Sequence, residues 1–197
     1  MENKTIIFAS NSKEKTNELK LILSSYNILT LNDIGFVDEI EETGSTFLEN
    51  ATIKANAVKK FLGKNYNGEY ILADDSGLCV DALNGAPGVY SARLSGDHDV
   101  KANRQKLLSL MQNETNRNAH FTCCIVCLKD EKILVCEGRC DGKILAYEDT
   151  QGGFAYDCIF YSNDLKKSFG VATKQEKNSV SHRGRALEKL VKQLNNF

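Results

Sequence analysis

The chain has 197 residues, 42% of them hydrophobic and 26% charged, with a formal net charge of -1. That is the balance of one globular domain spanning 1–197, and it excludes a disordered chain. Lys and Arg are scattered and no apolar run approaches a signal sequence or a spanning helix, so neither nucleic acid nor a membrane is an expected partner and the cytoplasm is the expected compartment.

The opening TIIFAS (5–10) predicts a short buried strand, rich in β-branched and aromatic residues. KEKTNELKLILSS (13–25) then predicts a helix with Leu19, Ile22 and Leu23 on one stripe. A second helix is predicted over 46–62, where Thr46 and Glu49 fit a capping box and Leu48, Ala51, Ala55, Val58 and Leu62 keep the helical repeat. The strand YILAD (70–74) follows, and after it a loop-like stretch from Asp75 to Gly96. VKANRQKLLSLM (100–111) predicts a third helix that turns Leu107, Leu108 and Met111 inward. A hairpin over 119–140 comes next, extended by KILAY (143–147). After QGGFAYD (151–157) there is a short strand, CIFY, and the closing helix 181–194 has Leu187, Leu190, Val191 and Leu194 as its stripe. Interleaved helices and strands in the first half, with antiparallel strands in the middle, predict an α/β fold on a mixed sheet.

Among the seven cysteines, Cys124, Cys127, Cys136 and Cys140 have a spacing superficially like a zinc site. They lie on predicted strands, where residues three apart point to opposite faces, so buried core thiols in a reducing compartment are the favoured reading.

Polar residues with chemical potential gather at the ends of these elements. EIEETGST (39–46) places Glu39, Glu41 and Glu42 just before the capped helix, where the helix dipole alone favours acid and a solvated loop is the plain alternative. Asp74 and Asp75 close the predicted strand, although Asp, Ser and Gly also make an ordinary turn. Together, Glu42, Asp74 and Asp75 offer the hard oxygen ligands that magnesium takes, with water and phosphate completing its shell. Asp75 is also placed to act as general base on an attacking water.

SNSKEK (10–15) joins the first strand to its helix, and backbone N–H groups there, with Ser10, Ser12, Lys13 and Lys15, suit phosphate oxygens. KNSVSHRG (177–184) puts His182 and Arg183 at the last helix's first turn, with Lys177 upstream. Basic residues oppose the dipole at that position, a placement easier to understand if an anion sits there; an exposed charged loop is the alternative. In GGFAYD, Gly152 and Gly153 let backbone approach a ligand, and Phe154 and Tyr156 offer flat faces to a base. A glycine turn with core aromatics explains the same residues. No Walker A, G-x-G-x-x-G or H-E-x-x-H sequence occurs.

Five blocks in this order resemble the inosine triphosphate pyrophosphatase family, of the Ham1 type, over nearly the whole chain: FASNSKEKTNEL, EETGSTFLENATIKA, LADDSGLCVDALNGAPGVYSARLSG, GGFAYD and EKNSVSHRGRAL. The resemblance implies an elongated mixed β-sheet with flanking helices, in two lobes around a central cleft, and a homodimer. It implies a magnesium-dependent hydrolase that splits ITP, dITP and XTP between the α and β phosphates. Matched position by position, Glu42 and Asp75 are the metal-binding acids and Asp75 the proton acceptor; Asp74 and Ser76 flank it, and Ser76 is a substrate contact. Ser10, Asn11, Ser12, Lys13, Glu14 and Lys15 correspond to the phosphate-binding loop, with Glu18 following on its helix and Lys54 matching the lysine of an E-N-A-x-x-K-A block. Phe154, Ala155, Tyr156 and Asp157 match the nucleoside-recognition motif, and Lys177, His182 and Arg183 match base and phosphate contacts.

The chain departs from that family's pattern at Ser12, where Asn is common, and at Glu14 and Ala155, where glycine is. If position 155 requires a positive φ, alanine is strained there. Two other readings compete: a Maf-type pyrophosphatase for pyrimidine or modified nucleotides, which the SHR and GGFAYD blocks argue against, and a nucleotide-binding module that has lost its chemistry.

Overall fold

The computed structural model describes residues 4–150, 154–194 and 197. Its strands are β1 (Thr5–Phe8), β2 (Asn27–Leu29), β3 (Tyr70–Val80), β4 (Asn118–Lys129), β5 (Lys132–Ile144), β6 (Phe160–Ser162) and β7 (Lys167–Ser168). Its α-helices are α1 (Lys13–Ile22), α2 (Phe47–Leu62), α3 (Val100–Leu110), α4 (Lys174–Val180) and α5 (His182–Leu194). The strands form one sheet in the order β2-β1-β3-β4-β5-β6-β7. β1 runs parallel to β2 and β3, whereas β6 runs antiparallel to β5 and β7, so the sheet is mixed as the sequence predicts.

The chain divides into two compact units. The first comprises Met1–Asp75, Cys124–Glu137 and Ala186–Phe197; the second comprises Ser76–Cys123 and Gly138–Arg185. Each has its own apolar core. Ile7, Ala51, Ala55, Val58, Ile71 and Val126 meet in the first. Leu78, Leu107, Met111, Phe121, Tyr156 and Phe160 meet in the second, where Phe121 and Phe160 make an edge contact with ring centroids 4.7 Å apart.

Local rules explain most of these elements. Thr46 and Glu49 close the capping box that starts α2, and an equivalent box of Thr173 and Glu176 starts α4. Ser12 caps α1 by accepting from the Lys15 N–H. At Gly184, a side chain would run into the Asn178 carbonyl, so glycine lets α5 begin tightly against α4.

β3 differs most from expectation. It runs on to Val80, so Asp74 and Asp75 lie inside a strand rather than at its end. The strand tolerates them because both carboxylates meet ammonium groups, while Leu78 and Val80 beyond them enter the second core. The short β2 and α4 carry too few apolar residues for periodicity to reveal them. Leu48 and Val191, expected on buried stripes, are 45% and 37% exposed. The first precedes the buried turns of α2, and the second borders the stripe of Ala186, Leu187, Leu190 and Leu194. All seven cysteines are free thiols, six of them buried. Burial pushes the Cys124 thiol up to about 11 and the Cys127 thiol up to about 12, so both stay protonated near neutrality.

Candidate active site

In the first unit, the site is built where β1 and β3 lie side by side and α1 and α2 present their polar residues. Neighbouring strand residues point to opposite faces, so Asp74 and Asp75 meet different partners. Asp74, 2% exposed, accepts from the Lys15 ammonium of α1 at 2.9 Å. Asp75, 6% exposed, accepts at Oδ2 from the Asn50 amide at 3.0 Å and at Oδ1 from the Lys54 ammonium at 3.4 Å. Lys54 also reaches Glu42 at 3.1 Å, so one buried ammonium serves both carboxylates.

The electrostatics follow from that crowding. Burial pushes the Asp75 carboxyl above its ordinary value and Glu42's charge adds to the shift, against the opposing effects of Lys54, Asn50 and Lys15. For Lys54, burial acts to lower the ammonium, but Asp75, Asp74 and Glu42 more than offset it and the net shift is upward. A cavity of about 200 Å³ in this unit is lined by Ser10, Lys15, Asp38, Glu42, Lys54 and Asp74, among others.

The loop at 10–15 is held by its own side chains. The Ser12 N–H donates to the Ser10 hydroxyl at 3.2 Å, and the Asn11 side-chain oxygen accepts from the Asn32 N–H at 2.9 Å. The Ser12 hydroxyl caps α1 and also contacts Glu14 at 3.4 Å, so Glu14 folds back on its own loop. Lys13 is exposed, and Glu18 sits half-buried one turn further along α1.

In the second unit, Phe154, Ala155, Tyr156 and Asp157 lead into β6; Gly152 and Gly153, expected to give close approach, lie outside the described residues. Ala155 has φ 49°, the left-handed conformation in which alanine is strained. The Arg104 guanidinium holds the Ala155 carbonyl at 3.2 Å and Glu148 at 3.2 Å. The Tyr156 hydroxyl donates to the Ser91 carbonyl at 2.7 Å, and burial pushes that phenol well up, so it remains a donor. Asp157 accepts from the Lys177 ammonium at 2.6 Å, and this ammonium lies 5.7 Å from the centre of the Phe154 ring. His182 stacks on Phe121 with centroids 4.8 Å apart. Arg183, only 2% exposed, donates to the Ser76 hydroxyl at 2.9 Å.

The sequence-predicted residues thus form two sets. Ser10 to Lys15, Glu42, Lys54, Asp74 and Asp75 belong to the first unit, and Ser76, Phe154 to Asp157, Lys177, His182 and Arg183 to the second. One of the four points at which the chain passes from one unit to the other is the peptide bond joining Asp75 to Ser76. Three contributors escaped the sequence reading. Asp38 was lost among neighbouring acids. Asn50 carried a signal, since a polar residue one turn before Lys54 on a buried helix face needs a partner. Arg104 carried none.

Magnesium fits the first set by donor chemistry. Among the described residues, no three His, Cys, Asp or Glu side chains are already gathered as a metal-holding group. Glu42 and Asp75 nevertheless present two hard carboxylates to one shared cation, Lys54, and two is a usual protein contribution to magnesium.

An α/β sheet bearing paired carboxylates, ammonium groups and a serine-rich helix start defines a protein suited to holding a phosphate-bearing small molecule. Comparison with known proteins makes this class specific. The sequence model of the Ham1 family matches residues 6–193. A dITP/XTP pyrophosphatase of Clostridium perfringens is 47% identical over 195 residues, covering 95% of each chain. Another so named, from Leuconostoc mesenteroides, is 44% identical over 197 residues and 96% of each chain. The structure of the Staphylococcus aureus Ham1 protein superposes with a TM-score of 0.87 at 38% identity, covering 98% of this chain and 99% of that one. The chain belongs to the Ham1 family.

Proposed function

We propose that this protein hydrolyses non-standard purine nucleoside triphosphates, the inosine, deoxyinosine and xanthosine forms, to the nucleoside monophosphate and pyrophosphate. Its relatives named dITP/XTP pyrophosphatases support the substrate class. The observation that carries the chemistry is Asp75: a buried carboxylate, aligned from α2 by Asn50 and Lys54, with its basicity raised. Such a group can take a proton from water at neutral pH more readily than an exposed aspartate.

In this reading, the loop from Ser10 to Lys15 binds the triphosphate. Backbone N–H groups at the start of α1, the Ser10 and Ser12 hydroxyls, the Asn11 amide and the Lys13 and Lys15 ammonium groups are its donors. Glu14 stays turned toward Ser12, and Glu18 supports the loop from its helix. Glu42 and Asp75 would hold magnesium, which supplies charge neutralisation on the phosphate oxygens when bound. Asp75 accepts the proton of the attacking water as its oxygen bonds to the α phosphorus, and the α–β bridging oxygen leaves with pyrophosphate. Lys15 and Lys54 hold the carboxylates in register and temper the negative charge of the site.

Base recognition falls to the second set. The Phe154 ring offers a stacking face, with the left-handed turn at Ala155 and the Tyr156 anchor fixing its place. Asp157 orients the Lys177 ammonium as a donor to a 6-oxo group. His182, seated on Phe121, and Arg183, bonded to Ser76, add further donors for the base and phosphates. Adenine would present its 6-amino donor to these donors and be rejected. The chain acts as one functional domain over 1–197, as a homodimer in the cytoplasm. Free thiols support a reducing compartment, and no described helix is long and apolar enough to cross a membrane.

The test is pyrophosphate release from ITP, XTP, dTTP, ATP and GTP, with magnesium and with chelator. Magnesium-dependent release from ITP and XTP, far above ATP and GTP, is expected. Release from dTTP alone would move the protein to the pyrimidine-directed class, and release from none would refute hydrolysis.

A further inference from the structure

The Asn50 side chain is fully buried, and each end of its one carboxamide is used. The Gly44 N–H donates to Oδ1 at 2.8 Å, and Nδ2 donates to Asp75 Oδ2 at 3.0 Å. The orientation of the amide is forced. A backbone N–H can only donate, so the atom facing Gly44 is oxygen, and the atom facing Asp75 is therefore the NH2 group. The loop reaches Asn50 only because residue 44 is glycine: a Cβ there would stand 2.6 Å from Glu49 Cβ and 2.7 Å from Asn50 Oδ1.

We propose that Asn50 is a positioning residue for the reaction, resting on the reading of Asp75 as its base. One rigid amide ties the loop that carries Glu42 to the carboxylate of Asp75. It occupies Asp75 Oδ2 and so fixes the rotation of the carboxylate, presenting Oδ1 to Lys54, which in turn holds Glu42. Neither serine nor glutamine would reproduce this. Serine is too short to span both partners, and glutamine's extra methylene has no room on a fully buried helix face. Asn50 sits four residues, about one helical turn, before Lys54, so α2 delivers both contacts from one face.

Asn50→Asp separates the two bonds, since it keeps an acceptor for Gly44 but sets a carboxylate against Asp75. Turnover of ITP should fall about 30- to 100-fold, as expected when a reacting group is misplaced by a fraction of an ångström, with KM changed less than about threefold. The swapped variant Asn50→Asp/Asp75→Asn restores a hydrogen bond with the donor and acceptor exchanged. Its melting temperature should recover most of the loss seen in Asn50→Asp, while its turnover stays at the level of Asp75→Asn. A fall in kcat at nearly constant KM in Asn50→Asp marks the contact as positioning, and recovery of stability in the swapped variant shows that the contact is made. An Asn50→Asp enzyme within threefold of wild-type kcat would overturn the proposal, as would a melting loss undiminished in the swapped variant. Failure of wild-type protein to hydrolyse ITP would instead fell the functional reading, and the stability cycle would still report whether the contact is made.

Discussion

The Asp74–Asp75 pair and the turn at Phe154 to Tyr156 are held by different kinds of structure. In the first unit, the adjacent aspartates and their partners stand on regular elements, Asp74 and Asp75 on β3, Lys15 on α1, Asn50 and Lys54 on α2, and only Glu42 comes from a loop. In the second, Phe154 to Tyr156 lie on irregular backbone with a left-handed alanine, tied down by side chains reaching carbonyl groups. A reacting carboxylate must be aimed closely, and a strand packed on helices does so with little freedom. Recognition of a flat base needs a surface and a few donors, which a well-anchored turn provides.

By that contrast, substitutions at the Asp75 cluster should act on turnover and those at the Phe154 turn on binding. The largest effect is expected for Asp75→Asn, a loss of about 10²- to 10⁴-fold in kcat for ITP, measured by pyrophosphate release. Its stability should move the other way. The folded pKa of Asp75 lies above the unfolded one, so the folded chain holds the extra proton between the two values. The contribution of Asp75 to stability is therefore best below the unfolded pKa and worsens as pH rises through the folded pKa. Asparagine mimics the protonated form and escapes that penalty. Thermal melts at pH 8 should place Asp75→Asn at or above wild type, with the gap closing in acid.

Lys54→Met sharpens the same point from the opposite charge. It removes the buried ammonium shared by Glu42 and Asp75, and denaturant titration should show a loss of about 3 kcal/mol. In the second unit, Phe154→Ala should raise KM for ITP about tenfold, the loss of one base–aromatic stack, with kcat little changed in steady-state assays. A main effect on kcat instead would break the division between the units.

The elements and the polar cluster were legible mainly where a short motif carried them. The Thr46–Glu49 box, the mixed sheet and the acids at 42, 74 and 75 could all be read directly from the residues. The length of β3 could not. Two adjacent aspartates look like a strand ending until their partners are known, and those partners lie 59 residues away for Asp74 and 21 for Asp75. Arg104 was illegible for the same reason, since its value depends on the Ala155 carbonyl 51 residues later. Asn50 was within the matched block, but its two hydrogen bonds depend on Gly44's close approach, which sequence spacing does not encode.

The strained alanine gives the smallest effect. Ala155→Gly should relieve about 1 kcal/mol of left-handed strain and lose about half of it to the entropy of a freer unfolded chain. A rise of one or two degrees in melting temperature is expected, with any change in the ranking of ITP against XTP reporting how firmly that turn shapes the base site.

The most direct test of Asp75-assisted water attack on the α phosphorus is hydrolysis of ITP in ¹⁸O-labelled water, with mass analysis of both products. The label is expected in inosine monophosphate, with unlabelled pyrophosphate, and neither product should form appreciably with Asp75→Asn. Label in pyrophosphate, or inosine diphosphate with labelled orthophosphate, would contradict it.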